Sequence, residues 1–200
     1  MSDNIKNKIE VLIDEISNEV ANMKLSSNDF DVNTRQICSY VSSKITAKCK
    51  GLMSTLYTEL SCETLKSDIF KDNTNANRFY DLDLRSHIYE KYNFEPENKI
   101  NFNAINSQLV AIGIPLGIAG IGVALSLSIT EPIVIPVALV VAALLYPLIK
   151  RGVDSTNKQQ YYTIVDKYIN DLKNELLSWF DSIETYYKKQ VDELIETLEV

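Results

Sequence analysis

Residues 161–198 read YYTIVDKYINDLKNELLSWFDSIETYYKKQVDELIETL. Within them Tyr161, Val165, Tyr168, Leu172, Leu176, Trp179, Ile183, Tyr187, Val191, Leu194 and Leu198 step by three or four without exception. No Gly or Pro interrupts the chain from Val153 to Val200. Such spacing gathers the apolar side chains into one stripe on a helix. At 1.5 Å per residue the helix runs about 60 Å, longer than a compact globule of this chain length needs. The expectation is an all-α fold, an elongated helical bundle or stalk in which 150–200 is a long returning C-terminal helix.

The N-terminal part, 1–108, supplies the helices for it to pack against. Ile5, Ile9, Leu12, Ile13, Ile16, Val20 and Met23 form one stripe over 3–25, and Ser26 to Asp29 read as a loop. A second helix is expected from Asn33 or Thr34 as N-cap to about Phe70, with Ile37, Val41, Ile45, Cys49, Leu52, Leu56 and Leu60 as its stripe. Gly51 is a point where that helix can soften or divide. Residues 71–75 are a polar break, followed by a short amphipathic piece with Phe79, Leu82, Ile88, Tyr89 and Tyr92. The Asn-rich 93–106, with Pro96, read as an irregular approach to what comes next.

What comes next is a different material. Residues 109–149 contain one charge, Glu131, whereas the whole chain of 200 residues carries 20 Lys+Arg and 27 Asp+Glu. Four of the six Gly and four of the five Pro also fall there. The run is too long for a single membrane span of about 20 residues and suits a hydrophobic helical hairpin of two arms. Glu131 and Pro132 are expected at its tip, because the turn takes the lone charge and a proline suited to starting a helix. The first arm offers Leu109, Ile112, Ile114, Leu116, Ile118, Ile121, Val123, Leu125, Leu127 and Ile129 to a bilayer. Gly113, Gly117, Gly120 and Ala124 form a small-residue face for close helix–helix contact within the hairpin. The second arm offers Ile133, Ile135, Val137, Leu139, Val141, Leu144 and Leu148. Pro136 and Pro147 leave it about 20 Å of unbroken helix, short for a hydrocarbon core of about 30 Å. Three placements fit: a shallow paddle in one leaflet, a double span, or a hairpin buried as the core of a soluble bundle. Lys99, Lys150 and Arg151 flank the run as interface anchors, with both ends on one side, the arrangement favoured for cytoplasmic flanks. Glu131 either stays in headgroup water or is neutralised to go deeper.

Composition narrows the function classes. A net charge of -7 and a pI near 4.8 argue against a nucleic-acid binder. The single histidine, His87, rules out most multi-His zinc sites and reads as a surface or satisfied side chain instead of a base. Phosphate-binding GxxxxGK[ST], HExxH, EF-hand and CxxC motifs are absent, and Gly117, Gly120 and Gly122 lack the partners of a nucleotide loop. No catalytic, metal or cofactor site is expected, and an enzyme is the least supported class. Cys38, Cys49 and Cys62 are odd in number and share one candidate helix, so reduced thiols are expected. Tyr161, Tyr168, Tyr187 and Trp179 read as core, and Asp192, Glu193, Glu196 and Glu199 as a solvated face. The first residues alternate charged and apolar types and do not form a secretory signal. Membrane association with both termini on the cytoplasmic side is expected; the alternative is a cytoplasmic protein or one exported by a signal-less route.

Amphipathic helices on either side of 109–149, with the 161–198 stripe returning, resemble the stalk and membrane paddle of bacterial dynamin-like proteins. The resemblance is one of layout, covers about half the chain, and lacks that family's GTPase domain. It implies a separated stalk that self-associates or works with a helical or GTPase partner on membrane lipid. The layout is also similar to helical pore-forming toxins of the colicin type, although 50 residues follow the hairpin here. The readings carried forward are a non-enzymatic protein that docks on a bilayer through 109–149, a soluble-to-membrane pore former, and a soluble helical interaction module.

Overall fold

The structure is a computed structural model that describes residues 1–24, 30–92 and 158–198. The described chain is all-α: α1 (Asp3–Met23), α2 (Phe30–Thr64), a 3-10 turn (Asp68–Lys71), α3 (Asn73–Asp81), α4 (Leu84–Lys91) and α5 (Lys158–Leu198). Among the described residues there is no strand.

Helix α1 begins where Ser2 accepts the Ile5 amide at 3.3 Å, satisfying one of the free N–H groups of the first turn. Its stripe, Ile5, Ile9, Leu12, Ile13, Ile16 and Val20, is fully buried. The directions of the helices follow from their cross-links. Glu59 of α2 accepts from Ser2 and Asn4, and Lys44 pairs with Glu15 at 3.0 Å. The Asn33 amide then donates to the Lys24 carbonyl at 3.1 Å. Helix α1 therefore runs antiparallel to α2. Against α5 it does the same, through Glu10 with Lys173 (2.8 Å) and Lys24 with Asp166. Helices α2 and α5 are thus parallel neighbours. Thr34 bonds Tyr161 at 3.3 Å near one end, and Thr64 bonds Tyr187 at 2.9 Å near the other.

The chain after α2 folds back along this seam. Phe70 packs on Phe79 at 5.7 Å, Phe79 faces Tyr187 at 6.5 Å, and Tyr92 faces Trp179 at 6.3 Å. The Tyr92 hydroxyl donates to the Ser182 carbonyl at 3.1 Å, and the Tyr89 hydroxyl to the Lys50 carbonyl at 3.3 Å. Segments α3 and α4 hence cover the half of the bundle that holds 50–64 and 176–191. Two aspartates start them. Asp72 accepts the Thr74 and Asn75 amides, and Asp83, in left-handed backbone at φ 41°, accepts the Ser86 amide. Aspartate tolerates that conformation because its short polar side chain bonds locally.

Three expectations about α2 need correction. Asn33 and Thr34 do not cap it; the helix starts at Phe30, and both side chains are buried, tying α2 to α1 and α5. The helix also stops at Thr64 instead of Phe70, because Phe70 turns inward onto Phe79 and takes the chain off the α2 axis. Gly51 neither softens nor divides α2, which is continuous, and a methyl group built there meets nothing within 4 Å. Gly51→Ala removes backbone freedom from the unfolded chain without a clash. The expected gain is about 1 kcal/mol, read as a higher urea midpoint at unchanged slope; a lower midpoint would show that the site is crowded.

Candidate functional site

The residues singled out for the bilayer, Leu109 to Leu148 with the Gly113/Gly117/Gly120/Ala124 face, the Glu131–Pro132 tip and the anchors Lys99, Lys150 and Arg151, lie outside the described residues. Among the described residues no helix is long and apolar enough to cross a membrane. What the structure does define is the end of the bundle at which α5 begins.

Three helices meet there. The Lys24 ammonium pairs with Asp166 and stands 5.6 Å from the Tyr162 ring. Asn33 closes onto the α1 C-terminus, satisfying the Lys24 carbonyl, and Thr34 holds the Tyr161 hydroxyl inside. Cys38, one turn further along α2, neighbours both Tyr161 and Tyr168. The first turns of α5 are therefore fixed to α1 and α2 by polar links as well as by Val165 and Ile169, which are buried. Sequence reading placed Tyr161 and Tyr168 in the core but missed their partners. The signal was present in Thr34 and Cys38, spaced by four on the same face as the Ile37/Val41 stripe.

Reactive groups are few and quiet. Burial pushes the Cys38 and Cys49 thiols up to about 12, so at neutral pH both are protonated and neither is a nucleophile. Cys62 is exposed. Burial likewise raises the Tyr161, Tyr168 and Tyr187 hydroxyls, opposed at Tyr161 by Thr34 and at Tyr187 by Thr64. Burial also raises Glu184, but Lys188 at 2.7 Å and the Met1 amine at 2.6 Å outweigh it and hold that carboxyl below its ordinary value. His87 is exposed on α4, as expected of a surface histidine. Among the described residues no group of His, Cys, Asp and Glu could hold a metal ion. The cross-links described fix the positions of the helices.

No known protein family, no curated protein and no solved structure matches this chain.

The thiols set a pH limit. Both are raised in the folded state from an ordinary value of 9.0 to about 12. The stability they contribute is therefore complete below about pH 9 and is lost as pH rises toward 12, where the unfolded chain ionises and the folded one resists. The raised tyrosines act in the same direction. Melting followed by circular dichroism should shift steadily downward across the alkaline range. A flat melting temperature there would mean that Cys38 and Cys49 are open to water.

Proposed function

We propose that this protein is a non-enzymatic helical scaffold that docks on a bilayer through 109–149. The described helices form its body, which self-associates or binds a partner, and both ends of the hairpin lie on the cytoplasmic side. One observation carries the reading. The described helices close a core of their own, in which the stripes of α1, α2 and α5 bury one another and Phe70, Phe79, Leu84 and Ile88 seal the flank. With that core formed, a predominantly apolar run of 41 residues with a single charge is left to be accounted for elsewhere. Contiguous apolar surface of that extent needs lipid or a partner to cover it.

In this reading the two arms enter the membrane, Gly113, Gly117, Gly120 and Ala124 let them pack closely, and Glu131 with Pro132 turns the chain at the tip. Lys99, Lys150 and Arg151 stay among the headgroups. The likeness to dynamin-like stalks points in the same direction and would supply nucleotide chemistry only through a GTPase partner.

The body should survive without the hairpin. Tyr92 packs beside Trp179, and α5 starts at Lys158, about 30 Å further along the bundle. Deleting 109–149 leaves 24 residues between them, which reach about 80 Å when extended. Flotation with anionic liposomes should therefore carry the full chain upward at neutral pH and leave the deletion variant, still helical, at the bottom. Flotation only at acid pH, with release of a trapped dye, would replace this reading with that of a pore former gated at Glu131. An unfolded deletion variant together with a full chain that never floats would mean that the hairpin is core.

A further inference from the structure

We infer that α1 is the acid-labile helix of this bundle: as pH falls through the carboxylate range, its hold on α2 and α5 loosens while those two stay paired. The cross-links on the two sides differ in chemistry. Along α1 they run through carboxylates at every level. Glu59 of α2 accepts from Ser2 and Asn4. Glu10 pairs with Lys173 of α5 at 2.8 Å, Glu15 with Lys44 of α2 at 3.0 Å, and Lys24 with Asp166 of α5. The Met1 amine pairs with Glu184 of α5 at 2.6 Å and with Asp181 at 3.9 Å. Among the links described, the Asn33 amide on the Lys24 carbonyl is the neutral one. Those described between α2 and α5 are hydroxyl pairs, Thr34 with Tyr161 and Thr64 with Tyr187. Tyr89 and Tyr92 of α4 donate to backbone carbonyls. None of these neutral groups takes up a proton between pH 7 and about pH 4.

A carboxylate that takes up a proton leaves its cation unpaired. The Lys44 ammonium holds Glu15 below its ordinary value, with Lys48 and Glu19 also close to that pair. Burial raises Glu184, but Lys188 and the Met1 amine outweigh it and keep it low; Glu63 lies within electrostatic reach of Lys188. Both carboxyls are depressed in the folded chain. The stability they contribute is therefore present above the ordinary carboxylate value and is lost as pH falls through the folded one. At Glu184 the loss is sharpened, because the Met1 amine, 5% exposed, is left beside a neutral acid. Glu175 works in the opposite sense, raised by burial and by Asp171. It sits two residues from Lys173, about 200° around α5 from the side that reaches α1. The buried stripe remains the main hold on α1, so acid enlarges an open population instead of expelling the helix. Each exposed pair is worth about one-and-a-half- to fivefold in that equilibrium. With Glu59 and Glu184 the set amounts to at least about tenfold. What opens is an amphipathic helix whose stripe from Ile5 to Val20 is uncovered, so the bundle converts acid into apolar surface. None of this depends on the bilayer reading, and the test contains no lipid.

Amide hydrogen exchange of the full chain at pH 7 and at about pH 4 tests this, read by peptide mass spectrometry and corrected for the intrinsic pH dependence of exchange. When reclosing outruns exchange, protection reports the open population of each helix. Helix α5 is the reference; α3 is not, because the Asp72 carboxylate that caps it also weakens in acid. On going to the lower pH, peptides from 5–20 should lose at least about tenfold more protection than peptides from 165–187. Glu10→Gln combined with Glu15→Gln removes two exposed pairs and leaves the buried stripe intact. At pH 7 that variant should lower α1 protection about two- to twentyfold with α5 unchanged, and its further loss in acid should shrink by the same factor. Parallel loss in α1 and α5, α1 protection that survives acid undiminished, or a variant with the pH response of the wild-type chain would each overturn the inference.

Discussion

The fold depends on covering one side of a single 41-residue helix. From Tyr161 to Val191 its apolar stripe extends about 45 Å, and a helix so exposed has no stable existence in water. Two long helices take most of the contact: α1 antiparallel, α2 parallel. Helix α1, Asp3–Met23, touches both of the others and uses Leu12 and Ile13 together with Ile9 and Ile16 to face them. Adjacent residues buried on one helix are the mark of a two-sided contact. The same doubling occurs on α5, where Tyr168 with Ile169 and Trp179 with Phe180 are buried in pairs.

Size complementarity sets the register of the parallel seam. Helix α5 brings Tyr161, Tyr168 and Tyr187, and α2 meets them with Thr34, Cys38 and Thr64, side chains small enough to admit a ring. Each of the two tyrosine–threonine hydrogen bonds satisfies a hydroxyl that burial would otherwise penalise. Tyr168 makes no such bond, although its ring fills the same seam. Shape is thus met along the whole length of α2, whereas polarity is met only at Tyr161 and Tyr187.

Much of this was legible in the sequence. Every stripe residue expected for α1 from Ile5 to Val20, and for α2 from Ile37 to Leu60, is buried, as are Trp179 and the three core tyrosines. Periodicity reports burial because burial is what imposes the period. It does not report which stripe faces which, so the parallel pairing of α2 with α5 was not readable. Nor was the position of Asn33, whose type and place before an apolar run suit a cap as well as a buried tie; only the approach of the Lys24 carbonyl decides. The end of α2 was misjudged for a related reason. Nothing between Thr64 and Lys71 breaks a helix locally, and the break comes from a contact of Phe70 with a residue nine positions later. The hairpin residues carry the strongest compositional signal in the chain and lie outside the described fold, so their arrangement rests on composition and spacing alone.

Parallel neighbours also explain how so long an insert is tolerated. A hairpin loop joins antiparallel helices, but α4 ends where Tyr92 faces Trp179 and α5 begins at Lys158, about 30 Å away, so the chain between them has that distance to span. Twenty-four residues would suffice, and lengthening a flexible connection from 24 to 65 costs only about 1 kcal/mol in closure entropy. The apolar run 109–149 lies within this same connection. Placed between α1 and α2 instead, it would load the five-residue connection at 25–29, whose neighbours Lys24 and Asn33 are bonded to each other and fix the antiparallel pair.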